Sequence, residues 1–300
     1  MTAVDTPRVN TAESMAWTRV LRWGFGLLWI IDGLLKLQPA MFTGNLISNV
    51  VGANATDNQP NWLYHLMIGG ANVWHAGLPY TTIAMALFEM ALGVGLIALR
   101  GRALRLTLWT VIAWSVVVWV MAEGMGGVLT GSPAFPGDSP GSTPFYVMGA
   151  LLLLYPHWVT PRFHRWAGAF WGAAALVQCL PYNWTASNLA GIFGNVTMNG
   201  SEPAWVDRLN NAFIVLGFHH PVSINAILVL VMAVLAIGYG TGRIQGPIWT
   251  LTILWLVFLW AVPQAFGTLF TGTGTDLGNE FPLILLLWVA KDVLHRQPAG

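Results

Sequence analysis

The 300-residue chain is 55% hydrophobic and only 8% charged, with a formal net charge of +1, whereas soluble domains carry about 25% charged residues. So few charges cannot solvate a surface of this size, and with a mean hydropathy of +0.61 and 17 Trp the composition predicts an all-α polytopic membrane protein with aromatic anchors at two interfaces. The near-neutral charge excludes the basic footprint of a nucleic-acid binder, and a single cysteine, Cys179, excludes an internal disulfide, a CxxC redox pair, CxxCH haem attachment and an all-Cys metal cluster within one chain.

Residues 1–17 are polar and lack the basic-then-apolar pattern of a cleaved signal peptide, so the first apolar run is expected to stay in the membrane. Apolar runs bounded by Arg, Pro or Gly predict about eight spans near 22–37, 79–99, 106–123, 144–158, 163–180, 222–240, 247–263 and 280–294. The last is interrupted by Lys291 and Asp292. Arg8, Arg19, Arg22, Arg100, Arg102, Arg105, Arg162, Arg165, Arg243, Lys291 and Arg296 fall on one side, which the positive-inside rule makes cytoplasmic. Both termini are then cytoplasmic, in a cell inner (plasma) membrane. On the outer side lie Arg208 and the acids Asp57, Asp138, Glu202, Asp207, Asp276 and Glu280, with Lys36 at a helix end. The segments 38–78 and 181–221 hold Trp, Leu and Asn with little basic charge, and read as interfacial helices and turns on the outer leaflet.

A fixed offset recurs along the chain. Trp114, Trp119, Gly126, Thr130 and Gly131 reappear 141 positions on as Trp255, Trp260, Gly267, Thr271 and Gly272. Asp138 and Pro144 match Asp276 and Pro282, and Trp29 with Pro39 matches Trp171 with Pro181. The chain therefore divides into a cytoplasmic tail, 1–17, a first four-helix repeat, 18–160, and a second, degenerate repeat, 161–300. An even number of spans per copy makes the repeats parallel, related by an axis near the membrane normal.

Four ionisable residues of the first copy fall inside or at the edge of spans: Asp32, Lys36, Glu89 and Glu123. A charge at bilayer depth costs roughly 2.5–3.5 kcal/mol on insertion scales, so such residues face a bundle interior or a wet cavity. Asp32 and Lys36 are four apart, acid first, the favoured helical order. Alignment of the two copies sets Ala174, Gln178, Leu230 and Gln264 against the four, which places the expected site in the first copy alone. Its groups divide into Glu89, Asp32 and Glu123 for proton transfer and Lys36 for substrate binding. A bland alternative has Asp32 and Lys36 neutralise each other and Glu123 sit at the interface. His65, His75, His219 and His220 show no i,i+4 metal spacing, and no metal site is expected. Met41, Met67, Met121, Met125 and Met198 read as apolar interface before Cu(I) ligands. The Gly-rich stretches at 124–127 and 271–275 lack a phosphate-loop context and read as tight turns.

The first copy resembles the DoxX superfamily of small four-helix membrane proteins, which includes the DoxD subunit of thiosulfate:quinone oxidoreductase. The resemblance covers roughly residues 18–158 and rests on GLLKL, with Gly33 and Lys36 in a Gly-x-x-Lys pattern, and on EMALGVGLIALRGR, through Glu89, Gly93 and Arg102. It implies a membrane subunit of a respiratory or sulfur-redox complex, with partner subunits and a quinone or small-anion pocket near the outer leaflet. The alternatives are a non-catalytic scaffold or assembly subunit and a small-solute or metal transporter.

Overall fold

The computed structural model describes residues 14–44, 47–194 and 202–295. Arg8, Met198, Arg296 and most of the 1–17 tail lie outside the described residues. Among those described the regular structure is helical, without strands. The helices are α1 (Ser14–Leu35), α2 (Asn61–Ala76), α3 (Tyr80–Ala98), α4 (Gly101–Met121), α5 (Thr143–Leu154), α6 (His164–Gln178), α7 (Ala186–Gly194), α8 (Ala204–His219), α9 (Pro221–Gly240), α10 (Pro247–Ala261) and α11 (Glu280–His295), with shorter turns between them. Each of the eight apolar runs forms a helix. Three of these, α3, α4 and α9, are long and apolar enough to cross a membrane, and α5 and α10 are shorter apolar helices. Apolar side chains also cover the outside, including Leu87, Val94, Leu106, Ile237 and Leu254. Exposed apolar surface on that scale needs a non-aqueous neighbour.

Helices α1, α5, α6 and α11 meet at the centre, where α11 touches the other three and α1 also packs on α5. Their buried side chains, among them Phe25, Tyr146, Trp171 and Leu286, belong to one continuous core. A smaller core under α2 joins Leu63, Met67 and Ala71 to Val51 and Ala55. Trp74 Nε1 donates to Thr82 Oγ1 at 2.8 Å and fixes α2 to α3.

Helices α1 and α3 run backbone against backbone. A Cβ on Gly93 would lie 2.4 Å from Gly26 O, and one on Gly33 would lie 2.6 Å from Ala86 O. Helices with little hydrophobic drive between them associate through such small residues. At the other end of α3, Arg22 donates to the carbonyls of Leu96 (2.9 Å), Ile97 (3.0 Å) and Leu99 (2.7 Å). Those carbonyls have no partner within the helix, and a cation suits their end of the dipole.

The second half repeats this arrangement with other residues. Helix α6 packs on α9 as α1 does on α3, and a Cβ on Gly168 would lie 2.6 Å from Gly240 N. His164 Nδ1 contacts Tyr239 O at 2.7 Å, the counterpart of Arg22 on Leu96. A carbonyl only accepts, so Nδ1 carries the hydrogen there. The turns after α4 and α10 also match: Met125 and Gly126 have φ 56° and 60°, and Phe266 and Gly267 have φ 59° and 63°. In each, the glycine amide donates to the residue three before it, Glu123 O or Gln264 O, at 2.8 Å.

Burial corrects one part of the repeat alignment. Leu230, set against Glu89 by the 141-residue offset, is 62% exposed. The buried rows Thr82, Glu89, Leu92 and Leu96 of α3 correspond instead to Asn225, Met232, Leu235 and Tyr239 of α9, an offset of 143 that the Arg22 and His164 contacts also require. The buried counterpart of Glu89 is therefore Met232. The offset is 141 at Trp114 and Trp255 but 143 along α3 and α9, because the second half is two residues shorter between these positions, and a uniform offset misses this.

Substituting Gly93→Ala drives a methyl into the Gly26 carbonyl, and overpacking of this kind costs about 1–3 kcal/mol. Gly69→Ala, with no atom within 4 Å of the new Cβ, is expected to be neutral or to stabilise by about 0.5–1 kcal/mol. Unfolding in detergent with a denaturant ramp separates the two. Equal stability of both variants would contradict the close α1–α3 contact.

Candidate functional site

The Gly26–Gly93 and Gly33–Ala86 contacts bring the outer end of α1 onto the middle of α3. Lys36, one residue beyond the end of α1, reaches Glu89 there: Nζ lies 2.7 Å from Oε2. Glu89 is 1% exposed and the lysine side chain 12%. The pair is further held on both sides. Trp114 Nε1 donates to Glu89 Oε1 at 3.1 Å, and Lys36 Nζ donates to Thr275 O, a backbone atom of the second half, at 3.2 Å. Asp32, a turn earlier and buried, accepts from Tyr146 OH at 2.7 Å through Oδ2. Tyr146 itself packs against Phe25 and Trp29, with ring centroids 5.5 and 4.8 Å away. Asp32 Oδ1 and Trp29 Nε1 are buried with no hydrogen-bond partner.

All four ionisable residues singled out in the sequence, Asp32, Lys36, Glu89 and Glu123, line one cavity of about 780 Å³. Five carboxyl side chains stand on its wall, the fourth and fifth being Asp138 and Asp276, with Lys36 as the single Lys or Arg. The floor is polar and the rim is not. The rim runs over Leu66, Val73 and Val117, which are 43%, 72% and 42% exposed on the outer faces of α2 and α4. The cavity thus opens sideways across apolar surface. His65 lies on its wall, and among the described residues no group of three or more His, Cys, Asp or Glu is placed to share a metal ion.

The expectation that the first copy alone builds this site does not hold. Pro263, Gln264, Thr275, Asp276, Gly278 and Asn279 of the second half also line the cavity. Asp138 and Asp276, which occupy matching places in the repeats, both face it. Their neighbours show a reciprocal exchange. In the first half Glu123 accepts from Ser142 Oγ at 2.7 Å and Thr143 Oγ1 at 2.9 Å. In the second half the position of Glu123 is Gln264, and the position of Ser142, two before the matching proline, is Glu280. Gln264 Nε2 donates to Glu280 Oε1 at 2.8 Å and to Asp138 Oδ1 at 3.1 Å. Donor and acceptor have traded places, so the second copy keeps a carboxyl at this level. A repeat alignment that asks only whether position 264 is charged cannot see it.

The Lys36 position has diverged differently. The amide of its counterpart Gln178 donates to Asn225 Oδ1 at 2.7 Å, with Asn225 Nδ2 returning a bond to Gln178 O at 3.1 Å. A neutral amide pair joins α6 to α9 where an ion pair joins α1 to α3. In place of a cavity, that half has Phe213 packed on Phe258 and on Phe193, with Trp255 stacked on Phe258.

Charge crowding sets the protonation of the loop carboxyls. Asp138 and Glu280 sit on one amide nitrogen, and two unit charges about 6 Å apart repel by roughly 3 kcal/mol at an effective dielectric near 20. Glu123 lies beyond the end of α4. Burial, and then the neighbouring Asp276, push its carboxyl up to about 7 against the hydroxyl bonds that favour the anion. Asp138 is exposed to the cavity, with the acids Glu123 and Asp276 as its charged neighbours.

Two measurements test this geometry. Lys36→Met leaves Glu89 buried without its cation, and breaking a buried pair costs about 3–5 kcal/mol; Lys36→Met combined with Glu89→Gln is expected to recover most of that loss. A double variant no more stable than the single one would deny the pairing. For Glu123 the folded state holds the proton more tightly than the unfolded chain, so its contribution is full below pH 4.5 and is lost as the pH rises through about 7. Glu123→Gln is expected to flatten that part of the stability–pH curve, by roughly 3 kcal/mol between its ends. An unchanged slope would mean that the carboxyl is solvated.

No protein-family model, curated protein or solved structure matches this chain.

Proposed function

We propose that the chain is an inner-membrane subunit that binds a lipid-soluble, oxygen-bearing ligand of the quinone class in this cavity, entered sideways from the bilayer. The observation that carries the proposal is the cavity's polarity gradient, from a rim of exposed apolar side chains to a floor with an ion pair, carboxyls and an unpartnered indole N–H. A ligand in aqueous solution gains nothing from such a rim. A ligand that partitions into lipid arrives at it directly, and concave sites with an apolar lining and a few converging polar groups are the ordinary form of a small-molecule site.

The residues present fit a quinone. Trp29 Nε1 is a donor without an acceptor, and Lys36 lines the same cavity; both suit a ring oxygen. A quinone in this place would supply two-electron, two-proton chemistry, with electrons exchanged through partner subunits. The chain's own part is to bind the ring, exclude water with Val117, Met121 and Trp114, and hold protons on Asp32 and Glu123, with Glu89 as the counter-ion of Lys36. A small anion is the weaker choice, because the single lining cation already has Glu89 as its counter-ion among five carboxyls.

The reading extends to topology: about eight spans in two parallel four-helix repeats, with both termini cytoplasmic and α2, α7 and α8 on the outer leaflet. It is supported by the basic residues that gather at one end of the helices and by the paired left-handed turns. The DoxX-like reading of the first half is supported by the place its two motifs take, since Gly33 and Gly93 set the α1–α3 contact and Lys36 meets Glu89 across it.

The test is binding of a decyl-chain benzoquinone to the full-length protein in nanodiscs, followed by tryptophan fluorescence. Saturable quenching is expected, and Gly69→Phe, which fills the rim where there is open space, should weaken it at least tenfold. Quenching that rises linearly without saturation, equal in both proteins, would reduce the effect to partitioning and end the proposal.

A further inference from the structure

Gln264 gives the two hydrogens of one amide nitrogen to two carboxyls from opposite halves of the chain: Asp138 in the loop before α5 and Glu280 at the start of α11. Next to them Asn279 Nδ2 donates to Asp138 O at 2.9 Å. That bond fixes which way the Asn279 amide faces and leaves its Oδ1 on the cavity wall, in a side chain only 1% exposed, with no partner. Glu280 Oε2 is also buried without a partner, in a residue 5% exposed. Buried polar atoms are almost always satisfied. Two acceptors facing no donor, beside a carboxyl that the cavity reaches, mark a place where hydrogens are missing.

The missing charge compensation is not supplied by the protein. Glu123 and Asp276 face Asp138, and Asp138 and Asp276 face Glu280. All are acids. The one cation nearby, Lys36, is committed to Glu89 and Thr275 O, and the described acids and histidines are not placed to share a metal ion. Carboxyls arranged in this way balance their charge by holding protons.

We infer that Asp138, Gln264 and Glu280 form a proton-exchange station at the seam between the two halves, separate from the Lys36–Glu89 pair. The two carboxyls hold one proton between them. When it leaves, the O–H bond on Asp138, the member that lines the cavity, breaks and a new one forms on an oxygen or nitrogen that enters the cavity; return reverses this step, and Glu280 is the buried partner whose charge makes the pair retain the proton. Gln264 is a positioning residue: its two N–H bonds favour the carboxylate form of both partners and so set the pH at which the shared proton is given up. The inference needs no particular ligand and stands apart from the quinone reading.

Infrared titration of the protein in nanodiscs tests it without any ligand, in a Glu123→Gln background so that Glu123 does not contribute. A protonated-carboxyl C=O band is expected to persist at neutral pH and to vanish as the pH is raised. Asp138→Asn and Glu280→Gln should each abolish that step; the first keeps an oxygen for Gln264 to bond and is the variant that retains the fold. Gln264→Met should move the step upward by a pH unit or more, a tenfold change in proton affinity. A titration step whose amplitude is unchanged by both carboxyl substitutions, or a midpoint unmoved by Gln264→Met, would overturn the station. Because no quinone is present, that result would leave the ligand proposal standing.

Discussion

The ion pair between Lys36 and Glu89 is the constraint on which the first half of the molecule turns. Two charges this deep, 2.7 Å apart and almost without exposure, are tolerable only when each has its full set of partners. Trp114 and the Thr275 carbonyl complete those sets. The pair in turn requires α1 and α3 to run backbone against backbone, which the glycines at 26, 33 and 93 permit. Side chains at those positions would separate the helices and carry the lysine away from its acid. The same close contact leaves α2, α4 and the outer loops to roof a space that no side chain fills.

The second half shows what the fold looks like without that constraint. Its helices keep the close α6–α9 contact, the left-handed turn and a basic group on the last carbonyls of the longer helix, here His164 in place of Arg22. The buried link between the two helices has become an amide pair, Gln178 with Asn225. Aromatic packing occupies the rest of that half. The first half holds most of the cavity wall, and Thr275, Asp276 and Gln264 in the loops of the second half, with Ile192 of α7, complete it.

The trade of Glu123 and Ser142 for Gln264 and Glu280 shows how a repeat can conserve an interaction while exchanging its ends. Each half keeps one hydrogen bond between the end of its fourth-helix equivalent and the start of the next helix. The first half draws its acceptor from the earlier residue and the second from the later one. The result is a carboxyl from each half beside the matching aspartates, Asp138 and Asp276. Acids from both copies therefore converge on one cavity, although the aligned sequence suggests that only one copy is charged.

Much of this was legible in the residues alone, for reasons that are local. Hydrophobic run length, the scarcity of charge and the break residues Pro39, Pro181 and Pro221 determine where helices lie, because those rules act within a few residues. Repeated Trp and Gly positions marked the internal duplication, and the cost of charge in an apolar phase singled out Asp32, Lys36, Glu89 and Glu123 before any contact was known. Only the tertiary structure decided which of them meet, since partner choice depends on how closely α1 and α3 approach. It alone showed that Met232, not Leu230, stands where Glu89 does, because the second half is two residues shorter on the way from α9 to Trp255 and a register read back from that tryptophan falls on the wrong face. It alone brought Gln264 and Glu280 to Asp138, three residues separated by 126 and 16 positions. Nothing in their spacing points to one another; they meet because α5 and α11 pack side by side at the centre of the bundle.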